Sequence, residues 1–118
     1  MATTLSKNQI NASVFYADSV SINNTDSPYT LLSETDTARV DVSTAAVTIL
    51  LPAVTSSNAG RRITIKDNTG SASINNITIN ADGTDTIDGN STEIILTDRA
   101  SLTIESDGIS EWAIIERN

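Results

Sequence analysis

Asp82, Asp85 and Asp88 are the residues best suited to chemistry in this chain, three carboxylates spaced three apart just before Gly89. Paired acids at a suitable separation hydrolyse glycosidic bonds, one protonating the leaving oxygen while the other serves as base or nucleophile. That chemistry needs a walled cleft to raise the pKa of one acid. Gly83, Thr84, Thr86 and Gly89 surround these three with turn-type backbone, so they read as a solvated acidic loop. The same stretch, Gly83-Thr84-Asp85-Thr86-Ile87-Asp88-Gly89, echoes part of the calcium-binding nonapeptide of parallel β-rolls, where glycine permits the turn and aspartate supplies oxygen. Those sites form between stacked turns, and one partial copy supplies half of each ion's shell. No EF-hand loop, Gly-rich phosphate loop or Gly-x-Ser-x-Gly elbow is present.

Histidine and cysteine are both absent. Their absence removes the usual general base, the Ser-His and Cys-His nucleophile pairs, and the commonest ligands of zinc, iron and copper. No residue is therefore assigned to catalysis, to a cofactor or to a metal, and the chain is expected not to be an enzyme. Arg61, Arg62 and Lys66 form a small basic island, read first as balancing nearby acids across strands and second as a contact for an acidic partner. Trp112 reads as a core anchor before it reads as a platform for stacking sugars. The formal net charge of −8 and a pI near 4.1 repel nucleic acid and anionic membranes. No apolar run approaches the length that spans a bilayer, and no export signal opens the sequence, so synthesis in the cytoplasm is expected.

The elements that must position these residues are strands. In Gly60-Arg61-Arg62-Ile63-Thr64-Ile65-Lys66-Asp67 apolar residues recur at every second place, the period of a strand with one buried face. The same alternation is read at Val47, Ile49 and Leu51, at Ile77 and Ile79, at Ile94 and Leu96, at Leu102 and Ile104, and at Trp112 and Ile114. Val47, Ile63, Ile77 and Ile104 are expected in the core. Asn68 to Ser71 reads as a hairpin loop, Gly60 as a positive-φ turn, Thr55 to Gly60 as a connection with one short helical turn, and Ser106-Asp107-Gly108 as the tightest hairpin. No strict internal repeat appears, so a solenoid lacks support. The expectation is an all-β, antiparallel β-sandwich or barrel-like single domain over residues 13–118, behind an N-terminal arm at 1–12. Only 3% of the residues are aromatic, which makes the core thin and favours an oligomer that buries more apolar surface.

The ordered set Ile49-Leu50-Leu51-Pro52, Gly60 to Asp67, Gly70, Asn76-Ile77-Thr78-Ile79, Thr86-Ile87-Asp88-Gly89 and Ser106-Asp107-Gly108 with Trp112 resembles a bacteriophage virion structural β module. Such modules occur in tail fibres, tail spikes and small capsid decoration proteins, and the resemblance covers residues 46–116. It implies a homotrimeric β assembly in a virion. The function expected from it is a capsid decoration or cement protein that binds the major capsid protein of the assembled phage head as a homotrimer and stabilises it. The alternative is a tail-fibre or tail-spike module that binds host-surface glycan or protein. Residues 1–22 are expected to dock or to exchange between chains.

Overall fold

The computed structural model describes residues 18–118. The expected arm at 1–12, the boundary at residue 13 and the apolar run Val14-Phe15-Tyr16 lie outside the described residues. Ten strands follow in order: β1 (Ser19–Ile22), β2 (Tyr29–Thr30), β3 (Thr37–Val40), β4 (Val47–Leu50), β5 (Arg62–Asp67), β6 (Ile77–Asn80), β7 (Thr86–Ile87), β8 (Thr92–Ile95), β9 (Ser101–Ser106) and β10 (Glu111–Arg117). Alternation sorts their residues as expected in the longest strands. Ile63 and Ile65 of β5 are fully buried while Thr64 and Lys66 remain half-buried on the outer side, and Leu102 and Ile104 repeat the pattern in β9.

The strands form two mixed sheets, β1-β3-β5-β9-β10-β7 and β2-β4-β6-β8. Their inner faces enclose one core. Val40, Ile63, Ile65, Leu102, Ile104 and Trp112 come from the larger sheet and Val47, Ile49, Ile77, Ile79 and Ile95 from the smaller. Each large aliphatic side chain buried there contributes about 1.5–3 kcal/mol relative to exposure.

The pairing corrects the antiparallel expectation. β1 with β3, β3 with β5, β2 with β4, β4 with β6, and β7 with β10 are parallel, while β5 with β9, β6 with β8, and β9 with β10 are antiparallel. From β1 to β8 the chain switches sheet at every strand, so successive passes stack as rungs. This is a two-sheet solenoid winding, against the reading that solenoids lack support. Its rungs are unequal, which hides them from a search for a fixed period. Ser19 lies beside Thr37 and Thr37 beside Thr64, intervals of eighteen and twenty-seven residues.

Two further local readings change. The Asn68 to Ser71 loop is no hairpin, because β5 and β6 belong to different sheets and the chain is crossing between them. In β8 the frame is shifted by one. Ile95 is buried opposite Ile77, leaving Ile94 and Leu96 exposed. The final hairpin is as expected. Asp107 accepts hydrogen bonds from the N–H groups of Ile109, Ser110 and Glu111 at 2.8, 2.9 and 3.0 Å, which hold its carboxyl below the usual range. A bulge then shifts the register between Ile114 and Glu116. Gly60 and Gly108 take φ of 82° and 78°, and a Cβ on Gly108 would sit 2.5 Å from Cβ of Ala59.

At the end of β5 the buried carboxylate of Asp67 ties two crossovers together. Its oxygens accept from the N–H groups of Thr69, Gly70 and Ala72 at 3.1, 2.9 and 3.0 Å, in the loop leaving for β6. They also accept from N–H of Arg99 at 2.9 Å, in the loop returning from β8 to β9. Burial alone would raise its pKa, but the N–H groups of Arg99, Thr69, Ala72 and Gly70 outweigh it and hold the carboxyl below its ordinary 3.8. Arg99 itself stands at φ 65°, a left-handed conformation that this bond helps to fix.

A folded pKa below the unfolded one means that stability is fully present above the unfolded pKa and is lost as pH falls through the folded value. The expected result for Asp67→Asn is a loss of about 2–4 kcal/mol at neutral pH, since buried N–H groups lose a charged acceptor. Its stability also falls less steeply than the parent's between pH 5 and pH 3. Denaturant titrations followed by fluorescence of Trp112, the single tryptophan, measure both.

Candidate functional site

The acidic turn is built to hold the chain's own backbone. Oδ2 of Asp85 accepts from N–H of Val54 at 2.9 Å, and Oδ1 of Asp88 accepts from N–H of Ile114 at 2.9 Å. Asp88 adopts φ 46°, and its N–H donates to the carbonyl of Trp112 at 3.1 Å. These two carboxylates pin β7 and its flanks to the 51–54 segment and to β10. Asp82 stays exposed. Among the described residues no group of three or more acids comes together as a metal site. The partial β-roll motif has β10 beside it, with no second copy of its own turn to complete an ion's shell.

The basic island is likewise engaged within the chain. Arg61 donates from Nε to the carbonyl of Ser33 at 2.9 Å, and from Nη2 to the carbonyl of Thr35 at 3.2 Å and Oδ1 of Asp36 at 3.1 Å. Arg62 pairs with Glu105 across the β5–β9 ladder at 3.5 Å, and Lys66 donates to the carbonyl of Arg99. Only Arg62–Glu105 is the cross-strand balance of charge read from the sequence, an exposed pair worth about 0.5 kcal/mol, while Arg61 pairs with a loop acid and Lys66 with a backbone carbonyl. Trp112 is fully buried, with no acceptor for its Nε1–H among the described residues, and Tyr29 packs partly against the core. Neither ring is presented as a stacking platform.

Asn58 was not singled out in the sequence, yet it is buried at the hub of a polar knot. Its side chain donates to the carbonyl of Ala53 at 2.8 Å and accepts from N–H of Thr55 at 3.1 Å and Oγ of Ser106 at 2.8 Å. It fastens the 53–60 connection to β9. A polar residue beside a positive-φ glycine was the only signal.

What remains available for contact is an open flank between the two sheets. β7 pairs only with Glu111 and Trp112 of β10, so the later residues of β10 form a free edge past the bond from Ile114 to Asp88. β8 is the edge of the smaller sheet. Between them runs a groove lined by Ile94, Ile95, Leu96, Ala100, Ser101 and Arg117. Ile94 is 41% and Leu96 58% exposed. Arg117 of β10 reaches over to Glu93 of β8, an ion pair that clasps the groove. The sequence signal was the triplet Ile94-Ile95-Leu96, one apolar residue more than a one-sided strand uses.

Short strands in two mixed sheets around one core, polar clusters engaged in turns, and an apolar flank left open describe a structural module. Residues 2–111 match the model of a bacteriophage structural family, which places the chain among virion structural proteins. The chain belongs to that family, described as Bacteriophage T4 gp9/10-like protein, N-terminal. The match begins well before residue 46, so the relationship takes in the first rungs and the segment ahead of them. No match is found among curated proteins. No helix of the described residues is long and apolar enough to cross a membrane.

The roles given to Asp85 and Asp88 are structural ones. Asp85→Ala and Asp88→Ala are each expected to cost about 1 kcal/mol through the lost backbone bond, a fall in Tm of several degrees for a domain of this size. Thermal unfolding followed by circular dichroism is the measurement.

Proposed function

We propose that this chain is an assembly module of the phage tail, joining tail-fibre or baseplate parts as a homotrimer. The family match over residues 2–111 carries this reading, because the family is of tail-fibre and baseplate-like character. The open apolar flank supports oligomerisation, since a second copy would bury surface that one chain leaves wet. Three modest contacts acting together raise apparent affinity by about 10²–10⁴ without any strong single one. The burial of Trp112 argues for assembly over glycan binding within the tail reading. The role is mechanical, and the chain carries out no catalysis.

The second reading is a homotrimeric capsid decoration protein on the major capsid protein of the head. The resemblance of residues 46–116 to modules of small capsid decoration proteins supports it. A protein that binds only assembled shell stabilises it by RT ln(1 + [L]/Kd), about 2.7 kcal/mol at a hundredfold excess over Kd.

Separating full heads from free tails and blotting each fraction for this chain decides between them. The expected result is chain in the tail fraction and none on heads. Chain on heads alone would replace the tail reading with the decoration reading, and chain in neither fraction would sink both.

A further inference from the structure

The groove between β8 and the later half of β10 offers an extended peptide two open strand edges and an apolar floor. Strand edges recognise extended chain through main-chain hydrogen bonds, and adjacent pockets select its side chains. We propose that this groove binds the Val14-Phe15-Tyr16 segment of a second copy of the chain. The inference rests on the reading that copies of the chain assemble, and adds which surfaces meet.

Two observations name that occupant. The first is charge. Residues 1–17 contain Lys7 and no acid, whereas all fifteen Asp and Glu residues lie at or after Asp18. A segment without carboxylates is the part of this chain that an acidic body repels least, and it also carries the densest apolar and aromatic run outside the described residues. The second is reach. Asp18 leads into β1, the far edge of the larger sheet, with β3, β5 and β9 between β1 and β10. Four strand spacings of about 4.8 Å separate β1 from β10. The groove also lies at the opposite end of the ladder, near Ser101, while Asp18 sits next to the end marked by Thr37 and Thr64. The separation is therefore about 20 Å or more. Val14, four residues before Asp18, extends at most about 14 Å from it. Its own groove is out of range, and a neighbour's is not.

The natural chain has no cysteine, so introduced thiols report cleanly. A Val14→Cys protein is mixed with a Leu96→Cys protein, oxidised, and run on a non-reducing gel, with Ile109→Cys, an exposed position on the β9–β10 turn, replacing Leu96→Cys as the control. The expected outcome is a mixed disulfide between the two chains at least tenfold more abundant than with the control. Equal yields with both partners would overturn the proposal, as would a closed monomer from the Val14→Cys/Leu96→Cys double variant. Light scattering on the parent protein separates the two levels. A multimer without the specific crosslink leaves assembly standing and removes this contact, whereas a monomer at micromolar concentration removes both.

Discussion

The buried carboxylate of Asp67 is the constraint on which the winding depends. It stands where the chain stops stacking parallel passes, since β5 has parallel β3 on one side and antiparallel β9 on the other. Both crossovers at that end, one leaving the larger sheet and one returning to it, present N–H groups that no ladder can satisfy. A single anion accepts from both. An unpaired buried charge would be costly, and so would unpaired buried N–H groups, so each side requires the other. The neighbouring bond from Lys66 to the carbonyl of Arg99 closes the same corner from the outer face.

Which residues face inward was legible from period-2 alternation at Val47, Ile63, Ile77 and Ile104, and all four are buried. Which strand lies beside which was not. Alternation is identical in parallel and antiparallel ladders, and a polar loop with glycine serves equally as a hairpin or as a crossing between sheets. The loop after Asp67 shows the ambiguity. The frame of β8 failed for a different reason, because Ile94-Ile95-Leu96 satisfies either face and only the register with Ile77 on β6 decides. Of the open flank only the surplus apolar residue in Ile94-Ile95-Leu96 showed in the sequence, because the free edge itself is a product of where β7 ends relative to β10.

Most members of the chemistry-like clusters behave alike. Asp85, Asp88, Arg61 and Lys66 attract attention by type and spacing, and each is bonded to backbone. In a chain built from short strands, turns outnumber other features, and their unpaired N–H and C=O groups need side-chain partners. The Asn, Asp and Ser content meets that need. Polar residues that look like a site in the sequence are here the fasteners of the turns, while the surface left for partners is apolar and lies along strand edges.

The placement of the two ends also bears on how this body responds to force. Asp18 enters β1 at one end of the ladder, and Asn118 leaves beside Ser101 at the other, exchanging backbone bonds of 3.0 and 3.1 Å with it. The two points lie four strand spacings apart across the larger sheet, so tension between neighbours attached there has its larger component across the strands, along their hydrogen bonds. Such a pull loads the edge strand β1 first, and its four-residue ladder with β3 opens before the strands behind it are stressed. Mechanical failure therefore starts at that edge and not in the core.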